Sequence, residues 1–556
     1  MARGLRAFLI VVVVVITPFL AGCDYSRWER GYPVSDSALR DVGALDLANV
    51  SKTPPTTQPT SQPLPTTRPV ESIVPAPPAD VRLTIEECRQ LALANNLDLK
   101  VELFNPTIAR EAISQERARF ESLFTASARY NITDQATASS LDNAQSKGLS
   151  TNVGVTVPLR TGGTIQLGLP INRFETNNSF STLNPAYSSD LDASISQPLL
   201  RGAGLAVNSH GIRIATYQYQ STQAQTKLVV IRVLADVDRI YWRLYAARRE
   251  LEVRKKEYDL AVAQLERARR QAKAGVVAEV DVIRAESGVA DTVQSIITSE
   301  TNVRNRQREL KQIINRPDVG LSGDTIVVPT SDPNALHYEL DKDRLIQAGI
   351  DQRMEMLETE IQIATQTDNI TFARNQMLPL VNLEYQYNIS GLGKTLSSSF
   401  ETLRSTRFQG HAVGLTVEVP LGNEAARSQL RLALASRLQA LATKEQRALM
   451  IKKEILDALD QLEANWQSII AAERRVILQA RVVDLETRQF NRGLRTSTDV
   501  LDAQTKLADA QSAEILAITQ YQIAQIDIAF ASGNLLGSAG VQWAPTSIGQ
   551  APAETR

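Results

Sequence analysis

The sequence predicts an α+β protein built from a duplicated repeat, with long antiparallel α-helical coiled coils and blocks of short strands. Three observations predict it. The first is the stretch Phe490 to Ala503, where Gly493 interrupts two long helical patterns and Thr496, Ser497 and Thr498 offer N-cap hydroxyls. The second is its echo at Ala274 to Ala285: Gly275 stands in the place of Gly493, with Asp281-Val282 at the offset of Asp499-Val500. The third is the sevenfold repeat upstream of each tip. Phe490, Val483, Val476, Ile469, Leu462, Ile455 and Ala448 form one row; Ala272, Leu265, Tyr258, Leu251, Leu244, Val237 and Val230 form the other. Every position is apolar or Tyr, which is a coiled-coil seam, and its duplication outranks any local motif.

The chain opens on Arg3, Arg6 and an apolar run from Ala7 to Leu20, ending in Leu20-Ala21-Gly22-Cys23. Residues 1–22 read as a signal peptide, and the last four residues match a bacterial lipobox, with cleavage before Cys23 and lipidation of its thiol. An ordinary secretory signal is the plainer alternative. The run is short for a membrane helix. Residues 23–82 form a Pro- and Thr-rich tether that cannot build a core. Asp24, after the acylated cysteine, bears on sorting between the two membranes. Cys88 is left alone and reads as a small buried hydrophobe.

Order is expected from Leu83. The first repeat spans residues 83–316. Thr84 with Glu86 and Glu87 starts a helix whose apolar face is Leu91, Leu93, Leu97, Leu99 and Val101, and a longer helix runs to about Phe120. From Phe124 the pattern alternates: Thr125, Ser127, Arg129 and Asn131 interleave with Ala126, Ala128, Tyr130 and Ile132. Further strands are expected at 152–159, 164–169 and 190–195, with Thr161-Gly162-Gly163 as a hairpin turn between the first two. One polar and one apolar side suit a barrel wall between two solvents; a soluble sandwich remains the alternative. Pro198 ends the ladder and Gly202 permits a turn into a helix from about 208 to 273, roughly 100 Å long. Its partner runs from about 278 to 314. A linker at 317–337 leads to the second repeat, 338–536. That repeat has helices near 341–349 and 354–375 and strands at 381–389 and 411–419. Pro420 and Gly422 make a second barrel-to-helix transition, followed by helices near 424–492 and 497–531. Residues 537–556 read as a flexible tail.

Net charge is −1, so nothing in the charge speaks for nucleic acid. His210, His337 and His411 are scattered, no metal spacing, phosphate loop or nucleophile motif is present, and no cofactor is implied. No enzymatic role is expected. Trp242 and Trp466 read as packing residues. Asp499 and Asp281 sit where a helix N-terminus favours an acid, worth under about 1 kcal/mol. Gly275, Val276, Val277, Gly493 and Leu494 would form tips whose exposed apolar residues suit docking; a plain turn is the alternative.

The duplicated plan from Leu83 to about Leu536 resembles the TolC family of outer-membrane efflux proteins. Its sharpest matches are Gln197-Pro198-Leu199-Leu200-Arg201-Gly202, Gly275 with Asp281-Val282, and Gly493 to Ala503. Lipidation resembles the branch that serves multidrug and metal-ion pumps. The resemblance implies a homotrimer in the outer membrane lipid, with four strands per protomer in a trimeric 12-stranded transmembrane β-barrel and a periplasmic tunnel of twelve helices. It implies a periplasmic adaptor protein and an inner-membrane transporter as partners. It makes Asp499 and Asp502 the periplasmic gate, and Arg495 with Asp281 a latch between neighbouring helix pairs. The family's tip tyrosine is Phe490 here, which cannot hydrogen-bond. The chain departs from the plan in offering four strand candidates in the first repeat and two in the second. The hairpin around Thr161-Gly162-Gly163, residues 152–169, could lengthen the wall, lie outside it or plug it. The expected function is a passive outer-membrane channel of a tripartite efflux system. Its rivals are a protein-secretion channel of the same architecture and a pore-free, lipid-anchored coiled-coil scaffold.

Overall fold

A computed structural model describes residues 80–137, 144–323 and 325–539. The signal peptide, Cys23, Asp24, nearly all of the tether and residues 540–556 of the tail lie outside the described residues.

In chain order, β1 (Asp80–Leu83) precedes α1 (Ile85–Asn95), α2 (Leu97–Glu102) and α3 (Asn105–Ala118). Four strands follow: β2 (Leu123–Asp134), β3 (Gln145–Pro158), β4 (Thr164–Thr176) and β5 (Ala186–Pro198). Then come α4 (His210–Lys273) and α5 (Glu279–Ile314), the first long hairpin, and β6 (Ile326–Pro329). The second repeat consists of α6 (Lys342–Gln352), α7 (Met354–Gln376), β7 (Leu380–Gly393), α8 (Leu396–Arg404), β8 (Gln409–Glu418), α9 (Glu424–Asn491) and α10 (Ser497–Ala531). No described helix is long and apolar enough to cross a membrane.

The chain forms two compact units. Residues 107–221 and 359–443 make one, centred on an antiparallel sheet of order β2-β3-β4-β5-β7-β8. The six strand candidates read from the sequence, four in the first repeat and two in the second, form this one sheet, two strands more than the four per protomer that the resemblance implies, and the hairpin at Thr161-Gly162-Gly163 joins two of them. The strands also run further from the flanking helices than the sequence pattern suggests, because their far ends carry Gly, Asn and Ser rather than clean alternation. α8, not anticipated, folds back over β5 and β7, where Gly391 and Gly393 leave room for it and Ser399 Oγ lies 2.7 Å from Ser189 Oγ.

The second unit holds residues 222–358 and those from 444 onward, with the described residues up to 106. Both sevenfold rows are buried or half-buried throughout. Leu244, Val237 and Val230 lie in the largest core cluster, with Tyr241 and Trp242, whose rings meet edge-on at 5.5 Å. Leu462 and Ile469 pack with Tyr521, and Trp466 lies 5.5 Å from that tyrosine. Both tryptophans are packing residues. Cys88 is fully buried in the same cluster as Tyr241, and burial pushes its thiol up to about 12.

Three local expectations are corrected. The linker contains β6, which pairs in parallel with β1, so the last tether residues Asp80, Val81 and Arg82 belong to a strand. Of the two helices expected up to Phe120, the first, with its face from Leu91 to Val101, is split, because the Asn96 carboxamide caps α2 by accepting from the Leu99 amide at 2.8 Å. The new start turns Leu97 and Val101 to solvent and leaves Leu99 as the buried member of that face. The start of α1 is as read: Thr84 Oγ1 accepts from the Glu87 amide and Glu87 Oε2 from the Thr84 amide, at 3.2 and 2.8 Å.

Candidate functional site

The six-stranded sheet has two chemically different faces. Residues opposite one another on neighbouring strands share a face. Tyr130 lies opposite Leu149, Val153 opposite Leu169, and Ile165 opposite Ile195. Ile195 in turn faces Tyr385, and Leu383 faces Leu415. Every strand puts apolar residues on this face, which towards its far end also carries Lys147, Arg173 and Glu175 and is covered by α8 at Ser189, Gly391 and Gly393. The register puts Asn131, Asn152, Gln166, Ser194, Gln386 and Thr416 on the other face, with Asp190, Asp192 and Glu384. Such alternation lets a wall meet hydrocarbon on one side and water on the other.

Where the strands return to the helices, the ladder is closed off by backbone and amide groups. The Leu199 amide donates to the Val381 carbonyl at 2.7 Å. The Gly202 amide donates to Asn375 Oδ1 at 2.8 Å, while Asn208 Nδ2 donates to the Gly202 carbonyl at 2.8 Å. Pro198 is the last ladder residue of β5, opposite Asn382. Gly202 and Gly422 take φ of 78° and 89°, a left-handed conformation glycine adopts without strain. Pro420 comes two residues after the end of β8, behind Val419.

The two tips are hairpin turns of one design. Gly275 and Gly493 have φ of 69° and 71°, and a methyl group on either would meet open space. The Val276 amide reaches back to the Gln271 carbonyl and the Leu494 amide to the Gln489 carbonyl, at 2.9 and 3.0 Å. These are helix C-terminal caps. Val276 is 61 % exposed and Leu494 is 70 % exposed; Val277 is half-buried. Val280 and Ile283 extend the exposed apolar surface along α5. Phe490 is fully buried, so the ring in the place of the family's tyrosine serves packing.

The acids at the second tip have local partners. Asp499 is the third residue of a capping box: its carboxylate accepts from the Thr496 amide and hydroxyl, both at 2.9 Å. The Thr496 amide is the main cause that holds Asp499 below the usual carboxylate range. Asp502 accepts from Lys506 at 2.6 Å, one turn on. Arg495 lies 3.2 Å from Glu486 and donates to Gln489 at 3.0 Å. Asp281 lies 3.5 Å from Arg284. Within one chain, therefore, Arg495 and Asp281 are not brought together, and Glu486 and Gln489 are partners the sequence reading missed. The Asp502–Lys506 pair was readable from its spacing alone.

What the structure does bring together is a groove of about 1050 Å³ beside the tips, lined by α4, α5 and α10. Asp499 and Asp502 line it with Glu250, Glu257, Asp291 and Asp509, against Arg254 and Arg284. Arg254 bridges Glu257 and Asp509 at 2.9 and 3.0 Å, tying α4 to α10. Gly288 on α5 gives way to Leu501, whose Cδ1 would stand 2.9 Å from a Cβ there.

The histidines are apart from this groove. His210 pairs with Asp368, His337 with Glu463, and His411 with Tyr385.

Comparison with known proteins agrees with this geometry. Residues 164–316 and 345–534 match the family model described as outer membrane efflux protein. The outer membrane protein TolC of Salmonella enteritidis is 24% identical over 386 residues, covering 66% of this chain and 74% of the relative. TolC of Vibrio cholerae is 24% identical over 327 residues, covering 58% and 71%. Among solved structures, a membrane protein from Pseudomonas aeruginosa superposes with a TM-score of 0.63 at 19% identity, covering 81% of this chain and 93% of that one. The CmeC outer membrane channel of Campylobacter jejuni superposes at 0.62 with 15% identity, covering 81% and 86%. The two superpositions speak for the fold.

Proposed function

The chain belongs to the outer membrane efflux protein family, whose model covers more than half of it, and from that premise we propose that it is the outer-membrane duct of a tripartite efflux system. It conducts small molecules or ions passively; an inner-membrane transporter supplies the energy and a periplasmic adaptor joins the two. The observation that carries this reading is the sheet with one apolar and one polar face. A wall of that kind needs lipid outside and water inside, and a pore-free scaffold needs neither.

The open edges support closure of the sheet with other copies, and three is the number the family resemblance implies. β2 and β8 each pair on one side, and open edges do not persist in a bilayer. Exposed Val293 and Ile297 on α5, and Leu434, Leu438 and Leu441 on α9, are apolar surface for neighbouring copies to cover. Cys23 carries the lipid. The tips around Gly275, Val276, Val277, Gly493 and Leu494 meet the adaptor.

Asp499 and Asp502 form the gate: three copies of each around an axis attract cations and repel anions. Arg495 and Asp281 act as a latch between neighbouring helix pairs. The latch requires the local pairs to exchange: Arg495 and Arg284 are about half exposed, while the carboxylates they meet, Glu486 and Asp281, are 20 % and 16 % exposed.

Single-channel conductance in a planar bilayer tests the reading. Wild type should give small, cation-selective openings. Asp499→Asn/Asp502→Asn, which leaves a capping acceptor at residue 499, should lose that selectivity. Unchanged selectivity would move the constriction elsewhere. No current from a trimeric, detergent-extracted sample would overturn the duct itself.

A further inference from the structure

We propose that the assembled wall has eighteen strands, six from each protomer, in place of the twelve that four strands per protomer would give. This rests on the trimeric duct of the preceding section. Four observations carry it.

The ladder is continuous from β2 to β8, with antiparallel pairing at every step. A hairpin serving as a plug or an outer loop would leave that ladder; β2 and β3 do not.

The apolar face also continues across all six strands. Tyr130, Val153, Leu167, Leu191, Tyr385 and Leu415 stand on it, one from each. On β2, Phe124 and Ile132 are each 65 % exposed in the single chain. Apolar residues on one side of a β2–β3 hairpin would be wasted in a water-filled lumen, where both sides are wet. Facing lipid, they are buried like their counterparts on β4 and β5.

Length is the third observation. β2 has 12 residues and β3 has 14, and a tilted transmembrane strand needs about 9–11. Both are long enough to cross.

The fourth is where the family match begins. Residues 164–316 and 345–534 take in β4, β5, β7 and β8, which is four strands, and leave β2 and β3 before the matched region. The match leaves out α1–α3 as well, so what it gives is four matched strands with β2 and β3 lying beyond them at the edge of the sheet.

The edges fit this count. β2 starts at the helix-proximal end of the sheet, after α3, and β8 finishes there, before α9. They run in opposite directions, so β8 of one copy beside β2 of the next continues the antiparallel order around the ring. Barrel diameter grows roughly in proportion to strand number, so this wall is about half again as wide as a twelve-stranded one. Barrels of about 16–18 strands leave an open aqueous channel. The outer barrel then does not select its cargo by width, and selection falls to the helical tips.

Cysteine cross-linking of the full-length, detergent-extracted protein tests the proposal, in a Cys88→Ala background. In one set, Val413→Cys on β8 is combined in turn with Ala126→Cys, Ala128→Cys or Tyr130→Cys on β2, all on the lipid face. In the other set it is combined with Ile165→Cys, Leu167→Cys or Leu169→Cys on β4, the strand that would close the ring if β2 and β3 lay outside it. Single-cysteine variants serve as controls. A short bis-maleimide, which takes one cysteine thiol by addition at each end, should give covalent dimers and trimers on denaturing gels from the β2 set and only monomers from the β4 set. Covalent trimers from the β4 set would overturn the eighteen-stranded wall. So would a protein that is trimeric by native mass yet links in neither set. A native mass other than a trimer would overturn the duct reading instead, so the two failures are distinguishable.

Discussion

Asp368 is 3 % exposed on α7 and holds two basic side chains of α4. Arg213 donates to it through Nε and Nη2 at 3.0 and 2.7 Å, and His210 Nδ1 lies 3.0 Å away with its ring stacked on Phe372. Burial alone would raise this carboxyl; the bonds from His210 and Arg213 outweigh it and hold it below its usual value. A carboxyl lowered on folding adds stability above its unfolded pKa of about 3.9 and loses it as pH falls through the folded value. Asp368→Ala leaves Arg213 buried without its main acceptor and should cost about 3 kcal/mol. Arg213→Met/Asp368→Leu should recover most of that, because a buried pair is often replaceable by apolar residues of similar size. Thermal unfolding in detergent reads both, and the gap between wild type and Asp368→Ala should narrow below about pH 4. A single variant as stable as wild type, or a double variant no better than the single, would sink this account. The arrangement was not legible in the sequence, because 155 residues separate Arg213 from Asp368 and nothing local links them. Asp499 was legible as a cap for the opposite reason, its partner Thr496 being three residues away.

At the scale of elements, periodicity was the most legible signal. Each sevenfold row is a statement about one helix face, and helices of 64 and 68 residues repeat that statement many times. What stayed hidden depends on a partner far along the chain: β6 and β1 are four residues each and gain meaning only when paired with one another. α8 is short and sits in what reads as a strand-to-strand loop. The glycine tips carry a test of the element itself. Gly493→Ala finds space for its methyl group but must hold φ near 71°, so its cost is conformational, about 1 kcal/mol. The same holds for Gly275→Ala. Hydrogen exchange at the Leu494 and Thr496 amides should quicken in Gly493→Ala and leave the first tip unchanged. Equal exchange in variant and wild type would mean the turn tolerates another conformation, and its glycine is then not a structural requirement.

For the whole molecule, the question is whether the lipid proposed on Cys23 or the sheet would hold it in the membrane. The sequence offered both, a lipobox at Cys23 and alternating strands, and strand alternation of this strength also fits a soluble sandwich. A sandwich buries one face of its sheet against a second sheet. Among the described residues the other sheet is the two-stranded β1–β6 pair, in the other unit. Leu415, Val417 and Val413 on β8 and Phe124 on β2 are all more than half exposed in the single chain. Moving such residues from water to hydrocarbon is worth about 25 cal/mol per Å² of apolar surface, and a wall repeats that gain on every strand. One acyl-modified cysteine contributes far less than a spanning barrel. Cys23→Ser, exported behind the same signal peptide, should therefore remain in the membrane fraction after a carbonate wash and need detergent for extraction. A soluble periplasmic product would show that the anchor was the only hold, and the chain would then be a tethered scaffold without a wall.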